Sequence, residues 1–169
     1  MMQYPHWDAN LLVVFATTLA VSAVVLLHYE GLSMISGWLA KRRDFISRRK
    51  VLYGIFSVLA LHVIEIWMFG ITIWLLLMYP ETGHVTGAEP LQLLDGVYLA
   101  AITYTTVGYG DVAPLGPIRF IAGTVALTAF VLAGNTLLRP LVNFINRIPF
   151  DEKASEATYH FKVAVTAHA

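Results

Sequence analysis

Three apolar stretches, each long enough to cross a lipid bilayer, constrain the fold of this chain more than anything else in it. Leu11 to Leu27 is broken only by Thr17, Thr18 and Ser22, Val51 to Tyr79 carries one charged residue, Glu65, and Ile118 to Leu138 is uncharged beyond Arg119. A helix needs about 17–25 residues to span a ~30 Å hydrocarbon core, so each run predicts a membrane helix. The second run, roughly 43 Å long if wholly helical, exceeds the bilayer and is expected to tilt or to project into the interface. Charged residues make up 13% of the chain, well under the share of about 25% usual in soluble domains. An all-α membrane protein is the expected fold class.

The charges orient these spans. Residues 41–50, KRRDFISRRK, hold six of the 11 Lys and Arg. Positive loops stay on the cytoplasmic side, which puts the N-terminus and the loop before the third span outside and the C-terminus inside. Arg139, Arg147, Lys153 and Lys162 then also lie inside, and Arg119 alone lies outside. The basic loop reads first as a topology signal and second as a surface for anionic lipid heads. Tyr4 and Trp7 suit the outer interface. A cleaved signal peptide competes for the first run, with small residues at Ala20 to Ala23, but the positive n-region of such peptides is missing. Glu30 to Ala40, broken by Gly31 and Gly37, is expected to lie along the membrane interface.

A carboxylate in the middle of a span costs about 3 kcal/mol even on insertion scales, so Glu65 is expected to face protein and to have a partner. Candidates are His62, three residues earlier on the same helix face, and Thr17, Thr18 and Ser22 of the antiparallel first span. The His62–Glu65 pair reads either as a proton-sensitive gating element or as a hydrogen-bonded packing pair.

Residues 80–90, PETGHVTGAEP, form a turn-rich outer loop. Pro90 is placed to start a helix from Leu91 to Tyr104. That helix is too short to cross the membrane and is expected to enter it and stop. Non-helical backbone at that depth is tolerated only where protein buries it or water lines it. The C-terminal end of the helix would aim partial negative charge at that point and favour a cation there.

At the end of this helix stand Thr103 and then Thr105-Thr106-Val107-Gly108-Tyr109-Gly110-Asp111. Gly108 and Gly110 reach positive φ angles, so alternating handedness can turn successive carbonyls the same way. Carbonyl and hydroxyl oxygens are hard ligands suited to an alkali cation. A phosphate-binding turn is the competing reading, and it lacks a lysine and a third glycine.

The pattern resembles the selectivity-filter signature of potassium channels. Residues 51–138 resemble, in the order and length of their elements, the outer helix, pore helix, filter and inner helix of the tetrameric potassium-channel pore domain. The extra first span is similar to the layout of small bacterial channels with three membrane helices. The resemblance implies a homotetramer in a bacterial inner membrane, with K⁺ as permeant ion and no organic cofactor. Its partners would be three further copies of the chain and membrane lipid. Carbonyls of Thr106, Val107, Gly108 and Tyr109, with the Thr106 hydroxyl, would coordinate K⁺. Val107 and Tyr109 side chains would pack behind the loop, and Thr103, Thr105, Gly110, Asp111 and Tyr98 would support it, although Tyr98 reads equally well as plain packing. Residues 1–50 then form an N-terminal helix and basic loop, 51–140 a pore domain, and 141–169 a short, mobile cytoplasmic tail with a weak strand pattern at Tyr159, Phe161, Val163 and Val165.

The chain departs from that family in the inner helix, whose middle is Thr128-Ala129-Phe130 where a hinge glycine is common. Gly134 is the hinge candidate and joins Glu65 and His62 as candidates for gating. No span repeats Lys or Arg as a voltage sensor would. A net charge of zero gives no support for nucleic-acid binding, and the absence of cysteine excludes thiolate chemistry. Histidines at 6, 28, 62, 84, 160 and 168 show no metal-ligand spacing, and no Ser/His/Asp set suggests an enzyme. The alternative function is a non-conducting membrane protein that keeps the pore architecture for assembly or regulation.

Overall fold

Four helices arise from the apolar runs. In the computed structural model, which describes residues 7–41, 47–88, 90 and 92–145, α1 spans Trp7–Lys41 and α2 spans Ser47–Leu77. A 3₁₀ turn at Pro80–Thr82 leads to β1 (His84–Thr86), then come α3 (Leu93–Tyr104), β2 (Ala113–Leu115) and α4 (Arg119–Ile145). Trp7–Lys41, Val51–Leu77 and Arg119–Leu138 are each long and apolar enough to cross a membrane. The protein is therefore an all-α integral membrane protein. The chain divides into two compact units, Met1–Gly134 and Asn135–Ala169. Of the second, Asn135–Ile145 are described, and all are helical.

α1 buries one stripe, Ala9, Val13, Thr17, Ala20, Val24, His28 and Leu32, at the three-to-four-residue spacing of a single helix face. Its other faces expose Leu11, Phe15, Leu19 and Leu26, as lipid contact requires. α2 packs against both α1 and α3. Phe69, Ile73 and Leu76 of α2, Leu99, Ala100 and Ile102 of α3, and Ile118, Ile121, Val125, Ala129 and Leu132 from the start and inner face of α4 form one core.

The crossing of α2 and α3 depends on glycine. A Cβ on Gly70 would lie 2.5 Å from the Val97 Cα, and one on Gly96 would lie 2.9 Å from the Gly70 carbonyl oxygen. Small residues at such a point let two backbones touch, the usual means of close packing between membrane helices. Above the crossing, the buried Thr82 hydroxyl reaches the Leu76 and Tyr79 carbonyls at 2.6 and 2.8 Å, and the Ile118 amide donates to the Thr82 carbonyl. These bonds tie the end of α2 to the start of α4.

Three local expectations change. Glu30 to Ala40 is no separate interfacial segment, because α1 runs unbroken through Gly31 and Gly37. A glycine inside a helix costs only about 1 kcal/mol, and Gly31 faces Leu61 of α2. α3 starts at Leu93 and not at Leu91, because Gln92 and Asp95 form a reciprocal capping box. The outer loop contains a short antiparallel ladder, with Val85 opposite Pro114, which three-residue strands in a Gly/Pro-rich loop do not announce locally. α4 itself runs on through Pro140 to Ile145. The expectations for Tyr4, most of the basic loop and the tail fall on residues 1–6, 42–46 and 146–169, outside the described residues.

Gly70→Ala is expected to lower stability by about 1–3 kcal/mol through overpacking, read as a fall in the thermal unfolding midpoint in detergent. Gly37→Ala, where a Cβ meets nothing within 4 Å, is expected to leave the midpoint unchanged or raise it slightly.

Candidate functional site

The motif after α3 leaves the helix in a stepwise manner. The Thr105 amide donates to the Ala101 carbonyl and the Thr106 amide to the Thr103 carbonyl, while the Gly108 amide reaches back to the Ile102 carbonyl at 3.1 Å. The Thr105 hydroxyl adds a bond to the Ala101 carbonyl at 2.8 Å. Thr103, through its carbonyl, and Thr105, through its amide and hydroxyl, therefore take part in the bonds that end the helix.

Beyond that point the backbone alternates. Thr106, Gly108 and Gly110 have φ angles of +59°, +50° and +81°, whereas Val107 and Tyr109 stay at negative φ. Glycine accepts this conformation without penalty. Thr106 is the only described non-glycine residue at positive φ, and such a conformation costs roughly 1–2 kcal/mol. The two glycines were legible in the sequence, and the threonine that opens the alternation was not.

At the outer end, the Tyr98 hydroxyl donates to Asp111 Oδ2 at 2.7 Å, and the Val112 amide donates to Asp111 Oδ1 at 3.0 Å. The hydrogen bond to the Asp111 carboxylate holds the Tyr98 phenol above the usual tyrosine range, so it remains a donor. Tyr98 thus acts on the loop through Asp111. Val107 and Tyr109, expected to pack behind the loop, are 52% and 74% exposed in the single chain. One copy provides no wall behind them.

Glu65 is fully buried. It is met by His28 from α1, whose Nδ1 lies 2.8 Å from Oε1, and by His62, whose Nδ1 lies 2.9 Å from Oε2. Tyr104, the last residue of α3, donates its hydroxyl to Oε2 at 2.5 Å and lies 2.9 Å from the same His62 nitrogen. With both imidazoles carrying their proton on Nδ1, three donors converge on one carboxylate. His62 was legible as a partner. His28 and Tyr104 were not, because their separation in sequence hides them. Thr17, Thr18 and Ser22, the other candidates, bond to the carbonyls of Val13, Val14 and Thr18 within their own helix. Gly134 lies apart from these groups on α4, with open space where a Cβ would point, and no described contact explains the glycine.

The profile of a family described as ion channels matches residues 55–145. Two-pore potassium channel 5 of Arabidopsis thaliana is 35% identical over 86 aligned positions, covering 43% of this chain and 20% of that protein. Two pore potassium channel b of Oryza sativa subsp. japonica is 38% identical over 56 positions, covering 33% of this chain and 15% of that protein. Protein LctB of Bacillus caldotenax is 36% identical over 71 positions, covering 41% of this chain and 53% of that protein. The chain thus spans about half or less of the length of these relatives. No solved structure matches it.

Tyr104→Phe is expected to cost about 1.5–3 kcal/mol, the range for a hydrogen bond to a charged group. Combined with Glu65→Gln, its cost should be well below the sum of the two single changes. Unfolding of the four proteins in detergent measures both.

Proposed function

The chain belongs to the ion-channel family whose profile spans residues 55–145, and from that membership we propose that it forms a potassium-selective channel. Four copies would surround a common axis, each contributing the loop from Thr103 to Asp111. Carbonyls of Thr106, Val107, Gly108 and Tyr109, with the Thr106 hydroxyl, would replace the water shell of K⁺ as it passes down its gradient.

The observation that carries this reading is the run of positive φ at Thr106, Gly108 and Gly110, alternating with negative φ at Val107 and Tyr109. Strict alternation turns peptide carbonyls toward one side of a strand, which an ordinary β-strand or turn does not do. Exposure of Val107 and Tyr109 in one chain supports assembly, since a neighbouring copy is the natural source of the missing wall. The names of the plant relatives favour K⁺ as the ion.

The orientation proposed has α1 beginning outside, the loop between α1 and α2 in the cytoplasm and the filter entered from the exterior. Ten of the 11 Lys and Arg then face the cytoplasm, as the positive-inside rule requires. Asp8, Glu81, Glu89, Asp95 and Asp111 would give the outer face a field that concentrates cations.

Gly110→Ala places a Cβ on a backbone at φ +81°, a conformation that side chains resist. Purified and reconstituted in liposomes, the variant is expected to lose K⁺ flux by at least about tenfold, equivalent to the roughly 1–2 kcal/mol of αL strain, while cross-linking still yields tetramers. Selective K⁺ flux persisting in the variant would refute the filter assignment, and wild-type tetramers without flux would favour the non-conducting role.

A further inference from the structure

The contacts of Glu65 leave a question of charge. Its carboxylate is fully buried, His28 is 1% exposed, and only His62 retains access, at 20% side-chain exposure. No Lys or Arg lies in residues 7–40, 51–77 or 93–104, which comprise nearly all of the three helices that form the cluster. Within those stretches the negative charge therefore has no fixed cation; Lys41, Arg48, Arg49 and Lys50 lie only at the helix ends. An unbalanced charge at this depth costs several kcal/mol, so the cluster calls for a mobile cation.

Its chemistry selects the kind of cation. Two imidazoles and a carboxylate are the ligand set of zinc and related first-row divalent metals, in contrast to the all-oxygen sets of Ca²⁺ or Mg²⁺. One ligand atom from each of His28, His62 and Glu65 lies within 4.8 Å of the others. A tetrahedral ion with bonds of about 2.0–2.1 Å holds its ligands roughly 3.3 Å apart, so side-chain adjustments alone would close the site. His62 and Glu65 stand three residues apart on one helix, and His28 comes from the facing helix, which fixes the set on rigid elements. For an ion to take the two Nδ1 atoms, each imidazole adopts the tautomer with its proton on Nε2, so the Nδ1 protons now aimed at Glu65 move across the rings and the cation takes their place at the carboxylate.

We propose that His28, His62 and Glu65 form a binding site for one divalent transition-metal cation of the zinc class, joining α1 to α2. The Tyr104 hydroxyl, 2.9 Å from His62 Nδ1, adjoins the site as a fourth ligand, through its oxygen, or as a partner to the carboxylate. Tyr104 precedes the loop directly, so an ion that takes the Glu65 oxygens also changes what holds the end of α3. That last step rests on the channel reading, whereas the binding itself does not.

The test uses the full-length protein in detergent, treated with chelator and then titrated with Co²⁺ alone and with Zn²⁺ alone. One Co²⁺ per chain with the visible absorption of a four-coordinate site, displaced by Zn²⁺, is the expected result, together with a thermal midpoint that rises with Zn²⁺ concentration. His28→Gln and His62→Gln should each weaken binding by about 100-fold or more, since loss of even an outer partner of a ligand costs about 10–100-fold. Failure of the wild-type chain to bind either metal would overturn the proposal and leave a proton as the balancing cation. Binding that survives in both variants would also overturn it and point to His6, His84, His160 or His168. Flux with and without Zn²⁺ is read separately: metal binding without K⁺ conduction would sink the channel reading and leave the site intact.

Discussion

Inside a bilayer, no water takes over a hydrogen bond that the protein leaves unmade. Most of the chain meets this constraint by staying helical. Even the hydroxyls of Thr17, Thr18, Ser22, Ser36, Thr72, Thr124 and Thr128 turn back to carbonyls four residues earlier in their own helices. Among the described residues, no buried side-chain nitrogen or oxygen is left without a partner. Two places depart from this self-sufficiency: the end of α3, where the backbone leaves the helix, and Glu65, where a charged group sits inside a span. They meet at Tyr104.

That meeting also involves the N-terminal helix. α1 buries a stripe that is apolar apart from Thr17 and His28, and His28, its one buried ionisable group, is in contact with Glu65. Glu65 in turn holds the hydroxyl of the residue at which α3 ends. A polar chain therefore runs from α1 through α2 to the foot of the loop. Tyr98 and Asp111 hold the other end of the same loop. The segment between these anchors is exposed within one chain and carries the unfavourable φ of Thr106. Strain of this kind persists only where the surroundings hold it in place, and two side-chain anchors are a means of doing so.

Long-range geometry separates what the sequence disclosed from what it did not. The three spans and the short helix between the second and third were legible, because apolar length and the break after Tyr104 are local properties. So were Gly108 and Gly110, whose lack of a Cβ fits the backbone they adopt, and the need of Glu65 for a partner. The identity of that partner was only half legible: His62 lies one turn away, whereas His28 and Tyr104 are 37 and 39 residues distant and become neighbours only when three helices pack. The spacing of the histidines was read along the chain, which does not show that His28 and His62 approach across helices, with ring centroids 5.5 Å apart. The ladder between Val85 and Pro114 was hidden for the same reason. Interruption of α1 at Gly31 and Gly37 was expected because local propensity was given more weight than packing against α2.

The proposed selection of potassium resides in the alternating backbone from Thr106 to Gly110. The most direct measurement is the reversal potential of the reconstituted protein in mixed K⁺ and Na⁺ gradients. A selective filter sets that potential by the K⁺ gradient, with little response when Na⁺ is varied at constant K⁺. A potential that follows both ions equally would contradict potassium selection by this loop, because it would mean that the loop carbonyls do not form the ion's coordination shell.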